Sequence, residues 1–346
     1  MLFERINNNS IFAYIPELEP IFAVMNLLQG GKAIKLCEEI YGEGQIATWK
    51  KKYPFLFETS KAVQNIYLWG ILDFIIDIPL EEMSLERYKA YLLEMNQVDF
   101  LWRHLYFDYI EGANKKDLQV AISDDEMLNQ VFGWMQEKCD SFLSFKAFIR
   151  ETKRYIDEFF DLAKKLQNSL LKDVLEKQGS MVDSLKEEIL IGINEVGPFE
   201  FSQKIMGKTF HNRGPYEEFV FVPIYMMPGK ASRFFHVKEE HKKQLLFISI
   251  RKQNRKQEDI IKALKIIGDG TRYQILTILA QEGTMRSMDI AQRVSVATST
   301  ISHHMEQLKE CGLVTEEQVK NSKYYGLNRN GVIELINDLQ KDLRIE

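Results

Sequence analysis

Six polar side chains fall together near the C-terminal end of the chain: Thr298, Ser299, Thr300, Ser302, His303 and Gln307, in the stretch TSTISHHMEQ. Hydroxyl, imidazole and carboxamide groups are small or planar hydrogen-bonding groups, the kind that can reach base edges and phosphates in a major groove. Two lysines, Lys320 and Lys323, follow in KNSK. Ammonium groups there are suited to neutralising phosphates beside or within the minor groove.

Such side chains act together only if one element holds them on one face. The spacing of Ile301, Met305 and Leu308 predicts a helix from Ser299 to Val314, stopped by Gly312, that buries those three. The opposite face then presents Ser299, Thr300, His303 and Gln307, with Thr298 and Ser302 at its borders. The N-terminus of this helix aims free N–H groups and a positive dipole end at whatever lies in front, which favours phosphate. Three helices are expected before it. The first carries Ile260, Ile261, Leu264 and Ile267 on one face and breaks at Gly268-Asp269-Gly270. The second, capped by Thr271 and ended at Gly283, buries Ile275, Leu276, Ile278 and Leu279. The third runs from Met288 to Val294, and Ser295 to Ala297 is the turn. After the polar helix, Leu313 to Val319 and Lys323 to Leu327 alternate as two strands around Lys320-Asn321-Ser322. Asn328 or Asn330 would cap a last helix, Val332 to Leu343. The pattern over 258–346 is a winged helix-turn-helix, an architecture that binds DNA in most settings.

Net charge does not advertise this. The chain carries −5 overall, and 258–346 holds eleven Lys or Arg against thirteen Asp or Glu. A DNA-binding reading therefore rests on where the cations stand and not on their total.

The segment Asp269 to Leu276 (DGTRYQIL), the run SHHMEQLKECGLV and KYYGLN from Lys323 to Asn328 resemble the arsenic-repressor (ArsR) family of bacterial winged-helix regulators. The resemblance covers roughly the last quarter of the chain, and single-domain members are far shorter. It implies a homodimer bound to a pseudo-palindromic operator in double-stranded DNA, usually a repressor released by an effector. Metal-sensing members place a Cys-x-Cys pair on the helix before the turn, where this chain has Met285, Arg286, Ser287, Met288 and Asp289. The final helix lacks the His and Asp pattern of the other metal site, so no metal role is expected. Ala297 and Thr298 stand where the family often has Ser and Gln.

The rest of the chain reads as mainly α with small β. From about Pro20 to Leu190 apolar residues recur at three and four, as in Ile21, Val24, Met25 and Leu28. The run Ile66 to Leu80, interrupted by Asp73 and Asp77, is too short and polar to cross a bilayer and reads as a buried helix. Tyr155 to Ile193 carries a heptad-like pattern through Phe159, Leu162, Leu166, Leu170 and Leu175, broken at Gly179, which predicts two helices packed on the domain or on a partner. Strands are expected near 199–250, with Phe219 to Pro223 and Leu245 to Ile250 the clearest. The charged run RKQNRKQED from Arg251 places a boundary between a mainly helical regulatory and dimerisation domain, 1–253, and the winged helix, 258–346.

Cys37, Cys139 and Cys311 form no CxxC pair, and the first residues lack the unbroken apolar segment of a leader, so a cytoplasmic protein without membrane association is expected. No catalytic motif appears among GxSxG, Walker, GxGxxG and HExxH patterns, and no cofactor is implied. His104 with Asp108, and His236 and His241 around Glu239 and Glu240, could each be drawn as metal sites, but surface or hydrogen-bonded histidine is the plainer reading. The aromatic residues from Tyr53 to Tyr109, with Trp69 and Trp102, could line a pocket for a small-molecule effector or simply pack a core. A protein-interaction module and an enzyme with an appended winged helix remain the alternative readings.

Overall fold

The computed structural model describes residues 1–63, 70–135, 139, 141–210, 213–236, 242–251, 257–319 and 322–345. These residues pack into two units, Met1–Leu190 with Tyr216–Arg251, and Ile191–Pro215 with Lys252–Glu346. The sequence reading drew one boundary, near 253–258; packing also gives the segment Ile191–Pro215 to the C-terminal unit.

The N-terminal unit holds a five-stranded mixed sheet of β1 (Leu2–Asn7), β2 (Ser10–Tyr14), β3 (Glu218–Ile224), β4 (Ala231–Phe235) and β5 (Lys243–Ser249), in the order β1-β2-β3-β5-β4. β2, β3 and β5 run parallel, with Val220 opposite Leu245 and Val222 opposite Phe247. Parallel strands covered on both faces read as unbroken apolar runs, and FVFVPI and QLLFIS do so. The opening hairpin β1–β2 lies outside the region where the sequence suggested strands. Its turn comes at Asn8-Asn9, between LFERIN and SIFAY.

Helices cover this sheet. Glu19–Gln29 is buried along most of its length, and its Phe22 ring meets Phe247 edge-on at 5.2 Å. Thr152–Leu166 buries Tyr155, Ile156, Phe159, Phe160, Leu162, Ala163 and Leu166. The expected pair of helices between Tyr155 and Ile193 is in fact three, Thr152–Leu166, Ser169–Glu176 and Gly179–Val196. The extra break falls at Asn168, whose side chain accepts from Leu170 N and Leu171 N and so caps the second. Leu162 and Leu166 are fully buried in the core and present no partner face. The described part of the Ile66–Leu80 run is a 3-10 helix, Leu72–Asp77, where an α-helix was expected, and Trp69 lies outside the described residues.

Most of the described aromatic residues between Tyr53 and Tyr109 pack in the core, although Tyr109 itself is exposed. Phe74 stacks on Phe100 at 5.2 Å, and His104 lies against Phe100, Phe148 and Tyr155. Burial lowers the titration of His104 to about 3, so it packs as a neutral ring. His236 places Nε2 3.0 Å from Asp77 Oδ1, whereas His241 lies outside the described residues.

One buried acid anchors the sheet's end. Glu19 accepts hydrogen bonds from Tyr225 N and Met226 N, both at 2.8 Å, and Asn26 Nδ2 donates to Met226 O at 2.8 Å. Arg251 donates to Tyr225 O and Met227 O at 2.9 and 3.0 Å. Burial pushes the Glu19 carboxyl up to about 7, against the pull of both N–H groups and Arg251.

The C-terminal unit contains the helices Gln257–Ile267, Gly270–Glu282, Ser287–Val294, Thr298–Glu310 and Arg329–Leu343. β6 (Met285–Arg286), β7 (Val314–Val319) and β8 (Ser322–Leu327) form a three-stranded sheet in the order β6-β8-β7. This is a winged helix-turn-helix. The first helix turns Ile260, Ala263 and Ile266 inward and leaves Ile261 and Leu264 exposed, so the stripe expected from four apolar positions is rotated. Asp269, and not Thr271, caps the second helix by accepting from Arg272 N at 2.9 Å. Helix Pro198–Met206 belongs to the same unit and ends at Gly207, whose φ of +66° suits a residue without Cβ.

Candidate nucleic-acid interface

The polar helix is seated by its apolar side. Ile301, Met305 and Leu308 are fully buried and share a core with Ile275, Leu279 and Ile290. The turn before it is made by Ser295, in the left-handed conformation at φ 55°, with Val296 N donating to Ala291 O at 3.1 Å. The helix starts at Thr298, one residue before the expected Ser299, and its regular part ends at Glu310, with Gly312 at φ +68° turning the chain.

Thr298, Ser299, Thr300, Ser302 and His303 are all exposed on the first half of this helix. Ala297 stands at the cap and offers no side-chain oxygen, so no side chain satisfies the first-turn N–H groups. Ser302 donates its hydroxyl proton to Thr298 O at 3.1 Å, which leaves its oxygen lone pairs as acceptors outward. Gln307, expected on the exposed face, is half-buried, and its Oε1 accepts from Arg272 Nη1. Arg272 also donates from Nε to Ile266 O at 2.7 Å, so Gln307 is held toward the second helix. His304 is half-buried beside the same group; burial, with Arg272 and His303, lowers its titration despite the opposing Asp269.

The second half of the helix is electrostatically different. Glu306 and Glu310 are exposed there, Glu310 paired with Lys262 at 2.7 Å. Lys309 lies 3.6 Å from Glu306 and 3.5 Å from Glu316 on β7, and Lys323 on β8 lies 3.4 Å from Glu316. Burial works against ionised Glu316, but the two lysines, with Tyr325, outweigh it and hold the carboxyl below its ordinary value. Lys323 is therefore exposed but paired, and Lys320 lies outside the described residues. Lys309 and Arg272 were not singled out from sequence. Lys309 could have been, since it stands at the edge of the predicted polar face; Arg272 could not, because its contact with Gln307 spans 35 positions.

Asn328 caps the last helix, accepting from Gly331 N at 3.0 Å, and donates to Gly312 O at 2.8 Å. Asn330, the alternative cap, lies inside the helix.

Comparison with known proteins bears on this unit. Residues 269–316 match the model of the bacterial regulatory protein, arsR family. An uncharacterized HTH-type transcriptional regulator of Methanocaldococcus jannaschii is 33% identical over 81 residues, 23% of this chain and 91% of that protein. The transcriptional repressor SdpR of Bacillus subtilis is 34% identical over 73 residues, 21% of this chain and 80% of its own. The chain belongs to the arsR family. A third arsR-type relative, a cadmium resistance transcriptional regulatory protein CadC homolog of Staphylococcus aureus, is 32% identical over 78 residues, and the match spans 64% of its length and 22% of this chain. A crystal structure of a possible transcriptional regulator for arsenical resistance aligns with 25% of this chain at 27% identity and a TM-score of 0.22. The family match, residues 269–316, lies within the winged helix.

Proposed function

We propose that this arsR-family chain is a sequence-specific DNA-binding transcription regulator, acting as a repressor, that binds a pseudo-palindromic duplex as a homodimer. The observation that carries the reading is the first half of helix Thr298–Glu310. It combines an N-terminus without a side-chain cap with exposed Thr298, Ser299, Thr300, Ser302 and His303, and no carboxylate stands among them. Phosphate fits the N–H groups and base edges fit the side chains. Glu306 and Glu310 repel DNA from the second half, so base contact is confined to the first two turns. Lys309 and Lys323 then exchange Glu316 for phosphate.

Dimerisation is supported by four exposed apolar residues on two helices that pack together, Ile261 and Leu264 on the first and Ile333 and Ile336 on the last. Paired about a two-fold axis, they would set the two reading helices about one DNA turn, roughly 34 Å, apart. The N-terminal unit, far larger than DNA reading needs, is the regulatory part of this proposal and takes a small-molecule effector or a partner.

Selection of duplexes from a randomised library by the full chain tests the reading. A palindromic consensus is expected, with binding that weakens steeply with salt. His303→Ala should cost about 1–3 kcal/mol and relax preference at one base pair per half-site. Enrichment of no sequence, or an unchanged preference in the variant, refutes the reading. In sedimentation, Leu264→Asp with Ile336→Asp should give a monomer.

A further inference from the structure

The C-terminal unit holds more than a winged helix. Helix Pro198–Met206, from a part of the chain more than fifty residues earlier in sequence, is packed into it. We propose that this helix is a brace through which the N-terminal unit regulates DNA binding, by positioning the last helix and the end of the reading helix together. The proposal rests on the DNA-binding reading above and assigns its regulation.

The brace meets the last helix through two asparagines. Asn330 Nδ2 donates to Lys204 O and, at 3.4 Å, to Ile205 O, carbonyls of the brace's final turn, the first of which also accepts from Gly207 N at 3.2 Å. Gly207, which ends the brace, lies so close to Asn328 that a Cβ placed on it would overlap Asn328 Oδ1. Asn328 in turn caps the last helix and holds Gly312 O, where the reading helix ends. A Cβ on Gly331 would overlap that same Gly312 oxygen, so the two helices touch backbone to backbone. Displacing the brace therefore shifts Asn328, and with it both helix ends. The last helix also carries Ile333 and Ile336, so the same displacement reorients the dimer surface.

The brace has an input as well as an output. It packs through Phe201 on Gly192, so closely that a Cβ there would overlap the ring. Gly192 lies on helix Gly179–Val196, whose residues up to Leu190 belong to the N-terminal unit. One uninterrupted helix is thus part of both units, and the joint to the brace is Gly197, at φ +80°. The chain thus passes from the N-terminal unit to the brace through this helix, and Phe201 is the side chain of the brace that meets it.

Asn330→Asp tests this cleanly. The substitution keeps shape but removes the donor and sets a carboxylate against two carbonyls, while an acid in a first turn favours the last helix itself. With the duplex selected by the wild type as probe, the full-length variant should bind about tenfold more weakly, within the usual range of coupling between sites. Gly207→Val, which displaces the brace sterically, should act in the same direction. Hydrogen exchange at Gly331 and around Gly312 should quicken in Asn330→Asp without DNA present. Unchanged exchange overturns the brace whatever the DNA result, and unchanged affinity with quickened exchange overturns its regulatory role. If the wild type selects no duplex, it is the DNA-binding reading that fails.

Discussion

Replacing Glu19 by Gln should change how stability depends on pH, and the sign follows from its surroundings. The carboxyl is fully buried and its titration is raised from an ordinary 4.5 to about 7. Below 4.5 both folded and unfolded chains carry the proton, and ionisation contributes nothing. As pH rises, the unfolded chain loses its proton first, so stability falls until the folded carboxyl also ionises near 7 and is then flat. The loss is about 3 kcal/mol, since each unit of pH across that window is worth about 1.4 kcal/mol. Glu19→Gln removes this slope. It also leaves Tyr225 N or Met226 N without an acceptor, because a carboxamide has one oxygen, and that costs about 1–3 kcal/mol at every pH. The variant should therefore be the less stable protein at about pH 5 and draw level with, or overtake, the wild type at about pH 8. Trp49, Trp102 and Trp134 lie in the N-terminal unit, and no tryptophan occurs in the sequence after residue 134, so urea unfolding followed by tryptophan fluorescence reports on that unit. Equal pH dependence in the two proteins would refute the reasoning.

Two further outcomes are expected. Gly331→Ala ought to destabilise the C-terminal unit by about 1–3 kcal/mol through overlap with Gly312 O, although alanine is the better helix former by about 1 kcal/mol; a raised melting temperature by circular dichroism would contradict the backbone contact. Glu316→Gln should free Lys309 and Lys323 for phosphate, tightening binding to the selected duplex several-fold and steepening its salt dependence; a salt slope identical to wild type would show that these lysines do not meet DNA.

The winged helix was legible because its signals are local. Ile301, Met305 and Leu308 repeat at helical spacing, Gly283 and Gly312 stop helices, and the wing alternates, so each element follows from neighbours in sequence. What escaped was non-local. Gln307 shares the polar face by periodicity, yet Arg272 turns its carboxamide inward. Ile261 and Leu264 look as apolar as Ile260, and only the position of neighbouring helices decides that Ala263 and Ile266 are the buried pair. Asp269 outcompeted Thr271 as a cap because Gly270 begins the helix two residues earlier than expected. The hairpin Leu2–Tyr14 was missed although LFERIN and SIFAY flank an asparagine turn, since its stabilising partner is β3, some two hundred residues on. The attachment of Pro198–Met206 to the C-terminal unit had no sequence signal, because its contacts are made by backbone carbonyls and by missing side chains.

That β2–β3 pairing carries a cost in time. Ser10, Ile11 and Phe12 bond to Phe219, Val220 and Phe221, so the middle of the sheet is closed by segments from opposite ends of the N-terminal unit. Sheets built from distant segments fold slowly, because the intervening loop must be closed before the pairing contributes anything. On a ribosome adding about 5–20 residues per second, the β1–β2 hairpin would wait on the order of 10–40 s for β3 to emerge. Throughout that interval Ser10, Ile11 and Phe12 lack their β3 partner, leaving an open strand edge that a chaperone would have to shield from other nascent chains.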